Sequence, residues 1–106
     1  MTVSMCVLLW AGPGQRDALA RYEDAVLALL PDHGGRVVRR VPAIPGGGQP
    51  DEIQFLEFGS RDGISSFTAD PRRTALVGER DVAVARTDIV FLADPLPEPD
   101  VVGSEV

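Results

Sequence analysis

The chain has 106 residues, 44% hydrophobic and 25% charged, and carries a net charge of −6 at pH 7. That length suits one domain with a single small core, and the composition is that of a folded chain, not a disordered one. The acidic balance speaks against a phosphate backbone as partner, and no apolar run approaches the roughly 20 residues of a membrane helix, so neither nucleic acid nor membrane is expected.

The first element is VSMCVLLW, Val3 to Trp10. This continuous apolar run is too short for a core helix and reads as a strand buried on both faces. AGPG turns the chain, and from Gln15 the period changes. Leu19, Tyr22, Val26, Leu29 and Leu30 form one helical stripe. DHGG ends that helix, with Gly34 or Gly35 free to take the left-handed cap conformation.

RVVRRV, Arg36 to Val41, reads as a strand near a sheet edge, where charged side chains discourage pairing with other chains. After PAIPGGGQP comes EIQFLEF, Glu52 to Phe58. Its alternation sends Ile53 and Phe55 to one face and Leu56 and Phe58 to the other. Ser60 is an N-cap candidate for a short helix with Ile64 and Phe67 inward. Asp70 and Pro71 start another helix, anchored by Leu76 and Val77. VARTDIVFLA, Val84 to Ala93, is the last strand. An acidic, Pro-rich tail over 95–106 follows the domain of residues 1–94.

The order β-α-β-β-α-β is the ferredoxin-like α+β unit, an antiparallel sheet with helices on one face. It raises a physical difficulty. Helices cover one side of such a sheet, yet the first and last strands are apolar on both. Each large side chain left in water forgoes about 1.5–3 kcal/mol. A second copy packed sheet to sheet removes that cost, so a homodimer is expected.

At this point the sequence resembles the dimeric α/β-barrel superfamily, in its branch of small stand-alone proteins of unknown function. The matching pieces are RYEDAV, HGGRVV, FLEFGS and DPRRTALVGERD, in that order. The resemblance implies a homodimer with a pocket between sheet and helices in each subunit, and no established reaction. The PAIPGGGQPDE hairpin departs from the tighter acidic turn of that group, and no aromatic stands near DPRRTAL.

The glycine run is followed by a strand, lacks a Lys-Ser/Thr pair and contains Pro50, so it reads as a hairpin connection and not a phosphate loop. His33 is the sole histidine and Cys6 the sole cysteine. His33 suits a helix C-terminus, where partial positive charge favours the dipole, and Cys6 suits a core position. One of each cannot build a structural zinc site; no metal and no cofactor are expected. Arg36, Arg39 and Arg40 read as a charge-protected edge. Trp10, Tyr22, His33 and Arg80 are the candidate ligand-binding residues: Trp10 at a pocket mouth with Tyr22 across from it, and Arg80 as a polar pocket group.

The functional expectation is a protein binding a small apolar or aromatic metabolite. The alternative is a cofactor-free oxygenase, isomerase or cyclase acting on an aromatic or polyketide-like substrate, with a dry pocket and one well-placed base. A third reading is a purely structural dimer. A lone cysteine and no signal peptide point to the cytoplasm, and ten Arg with no Lys to a GC-rich bacterial genome.

Overall fold

The computed structural model describes residues 2–94 and Leu96. Apart from Leu96, the tail read over 95–106 lies outside the described residues. Four strands, β1 (Val3–Ala11), β2 (Gly35–Pro42), β3 (Glu52–Phe58) and β4 (Val84–Phe91), form one antiparallel sheet in the order β2-β3-β1-β4. The helices are α1 (Arg16–Leu27), α2 (Arg61–Thr68), α3 (Pro71–Thr74) and α4 (Val77–Ala83), with a 3₁₀ turn at Leu30–His33.

Register explains how the apolar runs divide. Met5 opposes Leu56 and Phe91, Val7 opposes Gln54 and Ile89, and Leu9 opposes Glu52 and Thr87. Directly paired residues share a face. Met5, Val7, Leu9, Leu56 and Phe58 are buried beneath Leu19, Tyr22, Val26 and Leu27 of α1 and Leu30 of the 3₁₀ turn. The opposite face carries Cys6, Leu8, Trp10, Ile53, Phe55 and Val90. No helix lies over it. β1 is therefore buried on one face and only half-buried on the other, which corrects the reading of a strand enclosed on both sides. Cys6 belongs to this helix-free face and not to the core; partial burial pushes its thiol pKa up.

Capping follows the sequence. The Ser60 hydroxyl accepts from the Gly63 N–H, and the Asp70 carboxylate accepts from the Arg72 N–H. Gly34 takes the left-handed conformation, φ 70°, and closes the 3₁₀ turn. In the loop after β2, Gly46, Gly47 and Gly48 all have positive φ, so this stretch is a connection that other residues could not trace without strain. β2 is an edge strand with a register shift between Val37 and Arg39. That bulge turns Arg40 to the helix side while Arg36 and Arg39 stay on the other. The expected helix from Asp70 divides into α3 and α4 at Ala75–Leu76. Leu76 packs against the core, but Val77 is exposed and anchors nothing.

Candidate functional site

The site lies between the helix-side sheet face and the helices. A cavity of about 120 Å³ is walled chiefly by Met5, Val7, Leu56, Phe58, Ile64 and Phe67. Its polar groups come from both layers. α1 supplies Tyr22 and Glu23, β3 supplies Gln54, and Arg73 and Arg80 come from α3 and α4. An outer hollow of about 580 Å³ shares Tyr22, Thr68, Arg73 and Arg80 with this chamber and adds Thr74 and Val77. The shared walls place this outer hollow, the vestibule, beside the inner chamber.

At the inner wall stands a buried polar network. Gln54 Nε2 donates to Glu23 Oε1 and to Glu52 Oε2, both at 2.7 Å. Arg40 Nε donates to Glu52 Oε2 at 2.8 Å, and Arg40 also bonds Asp24 and the Ala20 carbonyl. Glu23 and Gln54 are the members that line the chamber, and Glu23 is the one that titrates there. Burial pushes its carboxyl pKa up and the nearby Glu52 adds to that; the Gln54 bond, Arg40 and Arg73 act against it. The Tyr22 phenol is likewise raised, first by burial and also by Glu23, with Arg73 and Arg80 opposing.

Among the described residues Arg73 and Arg80, like Arg21, Arg39 and Arg61, form no salt bridge. Arg16, Arg36, Arg40, Arg72 and Arg86 each pair with a carboxylate. Arg73 holds its guanidinium 5.3 Å from the Phe67 ring and donates through Nη1 to the Thr68 carbonyl at 3.4 Å. Its Nε is buried and has no partner. A buried N–H without an acceptor forgoes about 1–3 kcal/mol, so this is the group most in want of a ligand oxygen.

Of the residues singled out in the sequence, Tyr22 and Arg80 line the chamber; Trp10 and His33 do not. Trp10 projects from the helix-free face, where its indole N–H donates to the Gly48 carbonyl at 2.9 Å and Arg86 stacks over it at 4.3 Å. It therefore cannot sit across a pocket mouth from Tyr22, because strand alternation puts the two on opposite sides of the sheet. His33 ends the 3₁₀ turn as expected of a helix-terminal histidine, but its ring also spans Ser66 Oγ and Asp70 Oδ2, each at 2.7 Å. This Ser-His-Asp row is not arranged for nucleophilic catalysis. Asp70 is already occupied by three bonds from Arg72, and Ser66 Oγ donates back to the Gly63 carbonyl. Neither Ser66 nor His33 reaches the chamber, so the row ties the 3₁₀ turn to α2 and α3. Among the described residues, no three His, Cys, Asp or Glu side chains group to hold a metal.

Sequence reading missed Glu23, Gln54 and Arg73. The first two left a signal. Glu23 stands four residues after Leu19 and three before Val26, on the inward stripe, and Gln54 shares parity with Leu56 and Phe58. Arg73 left none, since its direction depends on the break between α3 and α4.

No family model matches the chain, and no curated protein matches it. Solved structures do. A protein of unknown function from Rhodopseudomonas palustris superposes with a TM-score of 0.70 at 20% identity, covering 91% of this chain and 84% of that one. A dimeric protein of unknown function and ferredoxin-like fold from Bacteroides fragilis gives 0.66 at 14%, covering 86% and 94%. A Dabb-family protein with a ferredoxin-like fold from Mesorhizobium loti gives 0.61 at 15%, covering 91% and 98%. The chain has the ferredoxin-like fold. At these identities the likeness is one of fold, and it agrees with the resemblance to dimeric α/β-barrel proteins read from the sequence. No helix among the described residues is long and apolar enough to cross a membrane.

Proposed function

We propose that the protein is a homodimer that binds a small apolar or aromatic metabolite in the chamber between sheet and helices. The observation that carries this reading is the chamber itself: an apolar enclosure with a few convergent polar groups, Glu23, Gln54, Tyr22 and Arg73, is the usual form of a small-molecule site. Its 120 Å³ compares with an apolar cavity of about 150 Å³ that accepts benzene, so the enclosed part of the ligand is about ring-sized and the rest extends into the vestibule. Cavity-free packing would have been more stable, since an empty apolar space costs dispersion contacts.

The dimer is supported by the helix-free face. Cys6, Leu8, Ile53, Phe55 and Val90 form its apolar centre, and the ion pairs Arg36–Glu57 and Arg86–Asp88 stand around them. An apolar centre with a charged rim is the anatomy of an interface. The Bacteroides fragilis neighbour is described as dimeric. The lone cysteine supports a reducing, cytoplasmic setting.

A second reading, cofactor-free acid–base chemistry, is favoured by one group. Glu23 is a buried carboxyl whose pKa burial moves toward neutrality, as a general base requires. An isomerase or cyclase would use it to take a proton from a carbon held in the chamber.

Titration of the isotopically labelled protein with indole, benzyl alcohol and toluene, followed by amide and methyl NMR shifts, tests the binding reading. The expected result is saturable shifts at Val7, Val26, Leu56 and Ile64. Shifts confined to exposed surface residues, or none with any compound, would overturn it.

A further inference from the structure

We propose that the ligand of this chamber is an organic acid: its anionic group lies against Arg73 and Arg80, and its apolar body of about one ring enters the chamber toward Glu23. This rests on the binding reading above and gives it a chemical class.

Three observations converge. Arg73 and Arg80 line both the chamber and the vestibule, so they stand between the two spaces. Among the described residues neither has a carboxylate within salt-bridge distance, a property they share with Arg21, Arg39 and Arg61, but Arg73 and Arg80 are the two that line the chamber. Arg73 also keeps its Nε buried and unbonded, while its Nη1 bond to Thr68 and its place over Phe67 hold the guanidinium in position. A carboxylate supplies the missing acceptor, and guanidinium–carboxylate bonds are about twice as strong as neutral ones.

The chamber's own carboxyl sets the polarity of the ligand. Glu23 already accepts from Gln54, and beyond that network it meets apolar side chains and the charge of Arg73. A ligand entering with its charge first would bring an anion against Glu23 and Glu52. Entering with its apolar end first, it leaves its charge beside the two cations. The proposed partner subunit covers the other side of the sheet, so the vestibule stays accessible in the dimer.

Calorimetric titration of the full chain with phenylacetate and hexanoate, beside phenylacetamide and hexanamide, tests the assignment. The acids are expected to bind about tenfold or more tightly than their amides. Arg73→Gln and Arg80→Gln should each erase most of that preference, weakening the acids far more than the amides. Equal affinity for acid and amide would overturn the acid assignment and leave the binding reading standing. An acid preference that survives the double substitution would overturn the placement at these arginines. No binding of acids, amides or the neutral aromatics would remove the binding reading and this inference together. The wild-type comparison of acid with amide needs no variant to fold.

Discussion

Two carboxyls in this protein are pushed in opposite directions, and the causes are visible around each. Asp70 accepts three bonds from Arg72 and one from His33, and these hold its pKa well below the usual carboxylate range. A folded-state value below the unfolded value of about 3.9 means the unfolded chain takes up the proton more readily. Asp70 therefore contributes stability at neutral pH that is lost as the pH falls through about 4 and below. Asp70→Asn is expected to lower the melting temperature at pH 7 and to flatten its decline between pH 5 and pH 3, read by circular dichroism. An unchanged acid limb would show that the Asp70 bonds contribute nothing to folding. Glu23 is the reverse case. Burial raises its folded value, so its contribution is complete below about 4.3 and declines as the pH rises through the folded value. Glu23→Gln keeps the oxygen that accepts from Gln54 and removes the charge. It is expected to melt higher than the natural chain at pH 8, with the gap closing at pH 4. No gain at pH 8 would mean that Glu23 is well solvated and a poor base. If the acid–base reading holds, the same substitution abolishes turnover while leaving ligand affinity in place. Residues of this kind are only half legible in a sequence. Position on a stripe or in an alternation put Glu23 and Gln54 on the core side, but what stands next to them comes from another strand and another helix.

At the scale of elements, most boundaries were legible because local chemistry sets them: Ser60 and Asp70 as caps, Gly34 at a left-handed turn, alternation in β3. The division of α3 from α4 was not, since nothing in TALVG forbids a helix. Nor was the bulge in β2, which decides that Arg40 and not Arg39 joins the buried network. Packing between elements decides such cases, and two glycines show how. Gly63 lies in α2 against the 3₁₀ turn, and a Cβ there would overlap the His33 carbonyl oxygen and crowd Phe58. Helix propensity alone would favour alanine by about 1 kcal/mol. The obstacle, however, is backbone, fixed by the Gly34 N–H to Pro31 and Gly59 N–H to Gly34 bonds. Gly63→Ala is therefore expected to destabilise by about 1–3 kcal/mol in urea denaturation. At Gly78 in α4 a methyl group would meet nothing within 4 Å, so there propensity wins. Gly78→Ala should stabilise by up to about 1 kcal/mol. Equal effects at the two positions would mean that α2 does not press on the 3₁₀ turn.

For the whole molecule, the decisive fact is that the sheet has two apolar faces and the helices cover only one, leaving Ile89 and Phe91 half exposed at its β4 edge. Phe55 stands near the middle of the uncovered face, paired with Cys6 on β1, whose other neighbour is Val90. Burying such a side chain is worth about 1.5–3 kcal/mol, and a two-fold axis through this face counts every contact twice. The rim charges add orientation more than affinity, because exposed ion pairs contribute about 0–1 kcal/mol each. The dimer should thus depend on the apolar centre. Phe55→Glu sets two like charges close to one another across the axis and removes the largest apolar group there. Sedimentation at micromolar concentration is expected to show a dimer for the natural chain and a monomer of lower melting temperature for Phe55→Glu. Val77→Glu, equally charged but exposed on the helix side, should remain dimeric. A natural chain that sediments as a stable monomer would mean that water tolerates this face after all, and the sheet-to-sheet dimer would fall with it. The chamber would survive that result, because its walls come from one subunit alone. Fold, ligand and assembly are separable in this way: the helix-side face carries the proposed binding site, and the face behind it the proposed partner.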